Sequence, residues 1–168
     1  MRIAVTGTGR CGTCTFYKAV QWCSNYHVGH ESSAGLLEIP QIGHNCVEVS
    51  GHLTLFLHYL NYDKLIHVSR VKESCVDSLV NTMEIPLRNW AAFTCQYSGG
   101  SLKNIAMLYY EHIHLMLKDA YQLEIDTLTK EKWRDCWNYM GCSGDFNRSW
   151  DEWQYHYNRR ENRGRETK

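Results

Sequence analysis

Arg2-Ile3-Ala4-Val5-Thr6-Gly7-Thr8-Gly9-Arg10-Cys11-Gly12-Thr13 is the stretch that decides the fold of this 168-residue chain. Its opening is a β-branched run closed by Gly7, the pattern of a short strand. Gly7, Gly9 and Gly12 then let the backbone turn sharply, with positive φ where needed. From Thr13 on, Phe16, Ala19, Val20 and Cys23 recur on one face, which predicts a helix over 13–24. In this order, strand, glycine-rich turn and helix make an anion site. The first helical N–H groups and about half a positive charge face the loop, which suits phosphate.

Outward from that unit the pattern repeats. Strand-like runs lie at 26–28, 46–49 and 65–68, and 121–128 reads as a last strand. Helical stripes lie at 53–60, 75–83, 102–117 and 133–140. This alternation predicts an α/β fold in three layers: a mostly parallel sheet of about 4–5 strands with helices on both faces and a helix-rich C-terminal half. One domain over 1–157 suits the length, and the polar stretch 158–168 reads as a frayed tail. Trp90, Phe93, Tyr97, Tyr109 and Tyr110 lie in or near the long connection after Pro86, where they either pack in the core or line a pocket. Residues 32–44 suit an acceptor loop.

Composition narrows the function. Apolar residues make up 43% and charged residues 21% of the chain, and 18 basic residues balance 18 acidic ones. Binding nucleic acid by bulk electrostatics calls for a basic surplus, so no nucleic-acid partner is expected. No apolar run approaches the twenty or so residues of a membrane span. Met1 runs directly into the first strand with no room for a signal peptide, so the eight cysteines read as reduced thiols of a cytoplasmic protein. The nine histidines follow no zinc-binding spacing, and no metal is expected.

Three motifs overlap in residues 7–14. As G-x-G-x-x-G the loop fits a dinucleotide fingerprint, with Glu31 about twenty residues further on. As a nucleoside-triphosphatase loop it lacks its lysine, because Thr13 stands in that place. As Cys11-Gly12-Thr13-Cys14 it is a redox C-x-x-C, which leaves Gly7-Thr8-Gly9 without a use. A second feature is Leu65-Ile66-His67-Val68-Ser69-Arg70, a strand ending in a guanidinium, with Ser78 two turns into the next helix. Arg70 either joins Ser78 on a second anionic group or pairs with Glu73 or Asp77. Magnitudes favour dedicated cations. A helix dipole contributes about 0.3–1 kcal/mol to a bound anion. Micromolar binding requires about 8 kcal/mol. Charge-assisted bonds of about 1.5–3 kcal/mol each from Arg10 and Arg70 are needed to approach it.

Together the two motifs, Gly-Thr-Gly-Arg-Cys-Gly-Thr after the first strand and Ile-His-Val-Ser-Arg-x7-Ser after the fourth, resemble the sulfotransferase family. That family uses 3′-phosphoadenosine 5′-phosphosulfate (PAPS) as sulfuryl donor and releases adenosine 3′,5′-bisphosphate. The resemblance implies a nucleoside-triphosphatase-like sulfotransferase fold and a small-molecule or glycan acceptor. It implies that Gly9, Arg10, Cys11, Gly12, Thr13 and Cys14 hold the 5′-phosphosulfate, and Arg70 and Ser78 the 3′-phosphate. Val28-Gly29-His30-Glu31 matches the place of the family's catalytic acid or histidine, implying Glu31 as base with His30 as alternative. Arg10 would stabilise the leaving phosphate. Glu48-Val49-Ser50-Gly51-His52 and Leu123-Glu124-Ile125-Asp126 are similar to bacterial members. Gly141-Cys142-Ser143-Gly144-Asp145-Phe146 is similar to the loop that closes over the donor. The chain departs from the family where Cys11 and Cys14 replace a serine and a threonine, and it is shorter than typical members. A nucleotide kinase, a dinucleotide-binding enzyme and a non-catalytic nucleotide-binding module are the competing classes.

Overall fold

The computed structural model describes residues 1–32, 41–94 and 100–165, with backbone alone at 93–94 and 156–165. Five strands, β1 (Arg2–Thr6), β2 (His27–His30), β3 (Cys46–Val49), β4 (Lys64–Ser69) and β5 (Tyr121–Glu124), form one sheet. All its pairings are parallel, in the order β2-β3-β1-β4-β5. The helices are α1 (Thr13–Val20), α2 (Lys72–Thr82), α3 (Glu84–Thr94), α4 (Leu102–Met116), α5 (Lys130–Met140) and α6 (Phe146–Arg165), with a 3-10 helix at Gly51–Tyr59 after β3.

The central strand shows why three layers form. Ile3 and Val5 face a core built from Phe16 and Ala19 of α1, Trp133, Trp137 and Met140 of α5, and Trp153 of α6. Ala4, between them in the pleat, faces the opposite way onto Leu53 of the 3-10 helix. Beyond it, α2, α3 and α4 bury Cys75, Leu79, Leu87, Ile105 and Ile113 in a further cluster. Both faces of the sheet are therefore covered, as a parallel sheet requires.

Two helices differ from the sequence reading. Pro86 falls in the first turn of α3, where a missing N–H does no harm, so the connection after it is helical. The stretch from 158 continues α6 as far as Arg165. That helix is anchored by Trp153, buried against Phe16 and Trp133, and by Ser149, whose hydroxyl accepts from the Trp133 indole at 3.0 Å. Among the described residues no helix is long and apolar enough to cross a membrane.

Candidate functional site

The loop between β1 and α1 stands at the carboxyl rim of the sheet, where ligands of open α/β sheets bind. Gly9, Arg10 and Gly12 take positive φ of 70°, 56° and 103°. Gly12 caps α1 in a conformation that side chains resist, and a Cβ there would lie 2.4 Å from Ile125 Cδ1. At Gly7 a Cβ would lie 2.3 Å from the Val68 carbonyl oxygen, so only glycine lets the loop leave β1 against β4. Buried hydroxyls brace the turn. Thr54 Oγ1 donates to Gly7 O at 3.1 Å and lies 2.7 Å from Thr6 Oγ1. Thr8 Oγ1 donates to Gly9 O at 3.0 Å and lies 3.0 Å from Cys75 Sγ on α2.

The amino end of α1 has no side-chain cap and no acidic residue in its first turn. Its first intrahelical bond runs from Phe16 N to Gly12 O, so the amides of Thr13, Cys14 and Thr15 have no helical acceptor. By contrast, Ser101 caps α4 and Thr129 caps α5.

Arg10 is exposed beside this end, and its Nε donates to Ser78 Oγ at 3.3 Å. Two motifs far apart in sequence thus meet at one rim. Thr13 is buried in the first turn of α1. Cys11 is a correction: its side chain is wholly buried, and burial pushes the thiol up to about 12, so only its backbone can face an anion. Cys14 is exposed, with Sγ 3.5 Å from His30 Nε2, and the His30 ring stacks on Tyr17 at 4.8 Å. Glu31 is exposed at φ 51°. Among the described residues the non-glycine positions with positive φ are Arg10, Glu31 and Asn45. Asparagine tolerates this region; arginine and glutamate in it are strained, a state that clusters at functional sites.

Arg70 requires the second correction. The structure brings Ser78 to Arg10 rather than to Arg70, and the partner of Arg70 is neither Glu73 nor Asp77. Arg70 Nε and Nη2 each lie 3.2 Å from Asp126 Oδ1. Asp126 Oδ2 accepts from Val71 N at 2.7 Å, so one carboxylate closes the start of α2 and neutralises the guanidinium. Tyr110 fixes the backbone there, its hydroxyl donating to Arg70 O at 2.9 Å. Cys75 stands between the two motifs: burial raises its pKa, and the Arg70 charge acts in the opposite direction.

Sequence reasoning missed Glu48. A carboxylate in the run Cys46-Val47-Glu48-Val49 was the signal. It is buried, and it accepts from Ser32 N at 2.9 Å and from Ser32 Oγ at 3.0 Å, which pins the backbone after His30 and Glu31. Among the aromatic candidates, Tyr109 is core, packed edge-on to Trp90 at 5.1 Å. Tyr97, the Phe93 side chain and residues 33–40 of the expected acceptor loop lie outside the described residues. The 141–146 segment pairs with residues 22–25, beyond the other end of α1.

Comparison of the chain with family models, with curated proteins and with solved structures returns no match. Strand order separates two of the competing classes on geometry. In the dinucleotide-binding order 3-2-1-4-5-6 the second strand lies beside the first, which brings its terminal acid to the ribose. Here β3 intervenes between β2 and β1, so Glu31 is two strands away from the loop's strand.

Proposed function

We propose that the chain is a sulfotransferase that moves a sulfuryl group from PAPS to the hydroxyl or amine of a small-molecule or glycan acceptor. The observation that carries this reading is the 3.3 Å contact from Arg10 to Ser78, which joins the two motifs of the resemblance at one rim of the sheet. The amino end of α1 supports it, because helix amides without helical acceptors and a guanidinium match a phosphosulfate better than a neutral ligand.

The chain's residues then divide the work. The amides of residues 13–15 hold the 5′-phosphate, and Arg10 faces the oxygen that gains charge as the sulfur–oxygen bond to the nucleotide breaks. Ser78 receives the 3′-phosphate, joined by Arg70 where the phosphate shares or displaces Asp126. Of the adjacent pair, His30 is the base, because its ring reaches the loop helix through Cys14 and Tyr17. Its Nε2 takes the acceptor proton as the acceptor oxygen or nitrogen bonds to sulfur. Glu48, acting through Ser32, positions the segment that carries it.

Calorimetric titration with adenosine 3′,5′-bisphosphate, ADP and NAD tests the nucleotide class. The bisphosphate should bind tightest, and tighter ADP would move the chain to the kinase class. With radiolabelled PAPS and an acceptor panel, His30→Gln should lower turnover about 10²–10⁴-fold while bisphosphate affinity holds. Unchanged turnover removes His30 from the mechanism. Bisphosphate binding without transfer to any acceptor would make the chain a binding module.

A further inference from the structure

At the edge of the sheet opposite the nucleotide rim, the turn after α1 is joined to the turn between α5 and α6. Cys23 forms an antiparallel bridge with Gly144. Ser24 N donates to Ser143 O at 2.7 Å and Asp145 N to Trp22 O at 3.1 Å. The Asn25 amide donates to Gly141 O at 2.9 Å and accepts from Ser143 N at 2.9 Å. This double tie brings the turn that carries Cys23 against the turn that carries Cys142, and Cys23 Sγ donates to Asn25 Oδ1 at 2.8 Å. Neither cysteine is in a disulfide.

We propose that Cys23 and Cys142 are a redox pair that closes to a disulfide on reaction with a small-molecule disulfide of the glutathione type. The pair stands on contact and access. Cys11, Cys75 and Cys136 are sealed from solvent, whereas Cys142 is half-exposed with a second thiol at hand.

The protonation pattern suits exchange. The Cys142 thiol donating to Cys23 holds the latter down at about 6, and the same bond with burial holds Cys142 up. Cys23, which donates to Asn25 Oδ1 at 2.8 Å, is therefore the thiol that gives up its proton more easily. Cys142, the sulfur that reaches solvent, loses its proton to water and attacks the oxidant, and glutathione thiolate leaves with the electron pair of its broken S–S bond. Cys23 gives up its own proton to the departed thiolate and attacks Cys142 sulfur, and the second glutathione leaves as thiolate and takes up the proton that Cys142 released to water. Two protein sulfurs are oxidised and one glutathione disulfide is reduced to two thiols. The new bond fastens the end of α1 to the α5–α6 turn, whatever the chemistry at the other rim.

The full chain is incubated with oxidised glutathione, alkylated, and digested without reduction. The expected product is a Cys23–Cys142 linked peptide, with Tm about 5–10 °C above the reduced chain. Both changes should reverse with dithiothreitol. In Cys23→Ser the glutathione should remain on Cys142 as a mixed disulfide. Exposed Cys14 serves as the internal control. Glutathione on Cys14 with no Cys23–Cys142 link in the wild-type chain overturns the proposal, and this readout does not depend on whether the variant folds.

Discussion

Helices α1 and α2 start at the same rim, each just after a central strand, yet their amino ends are finished differently. The start of α1 carries no side-chain cap, and Arg10 stands exposed beside it on a strained backbone. The start of α2 is closed from within, with Asp126 taking Val71 N and the Arg70 guanidinium together. Two positively biased helix ends therefore have opposite standing toward an outside anion: one is open, the other already holds a carboxylate. A bisphosphate spanning both must meet an open site at its 5′ end and share or displace Asp126 at its 3′ end.

The largest effect expected from this contrast is on the open side. Arg10→Ala removes charge-assisted bonds of about 1.5–3 kcal/mol, so adenosine 3′,5′-bisphosphate should bind about 10–150-fold more weakly by calorimetry. Its melting temperature should hardly move, because the Arg10 contact with Ser78 is exposed. Next comes the closed side, where the pattern should invert. Asp126→Ala opens the start of α2 and leaves Arg70 unpaired, lowering stability by about 1–3 kcal/mol and Tm by about 2–10 °C. Bisphosphate affinity should hold or tighten. Weaker affinity at unchanged Tm would mean that Asp126 belongs to the ligand site, and the contrast would fail. A smaller effect is expected from Thr8→Val, which loses the bonds to Gly9 O and Cys75 and about 0.5–1.5 kcal/mol in denaturant titration.

The effect least visible at neutral pH lies beneath the closed end. His67 on β4 is buried, with Nδ1 2.8 Å from Gln122 Oε1, its ring edge-on to His114, and Nε2 unpartnered. Burial, with His114 nearby, lowers its pKa from 6.5 to about 4. The unfolded chain takes up this proton before the folded one. The contribution is therefore intact above pH 6.5 and is lost progressively as pH falls toward 4. Tm measured against pH should fall across that window in the wild-type chain and less steeply in His67→Leu.

The open end was legible because its signals are local: a β-branched run, three glycines and a helical stripe, all within residues 2–24. The closed end was half legible. Arg70 and Ser78 stand out, but local pattern offers Arg70 partners only on the helix that follows it, at Glu73 and Asp77. The true partner comes from strand register. Ser69 pairs with Glu124, so the chain leaving β5 delivers Asp126 beside Val71, a placement that no local pattern encodes. Likewise Pro86 hid α3, and the polar composition after Phe146 hid α6, whose Trp150 and Trp153 mark the buried side only once Trp133 is known to face them. The thiol pair escaped because Cys23 and Cys142 meet through two turns rather than within a motif.

Gly7 carries a mechanical consequence. With no room for even a methyl group between it and the Val68 carbonyl, the glycine-rich turn rests directly on backbone of the neighbouring strand, with no pliable side chain in between. A rigid seating of this kind transmits displacement rather than absorbing it. Whatever presses into the turn also pushes on the strand whose tip carries Arg70, so the tips of the two strands are geared to each other through main chain alone.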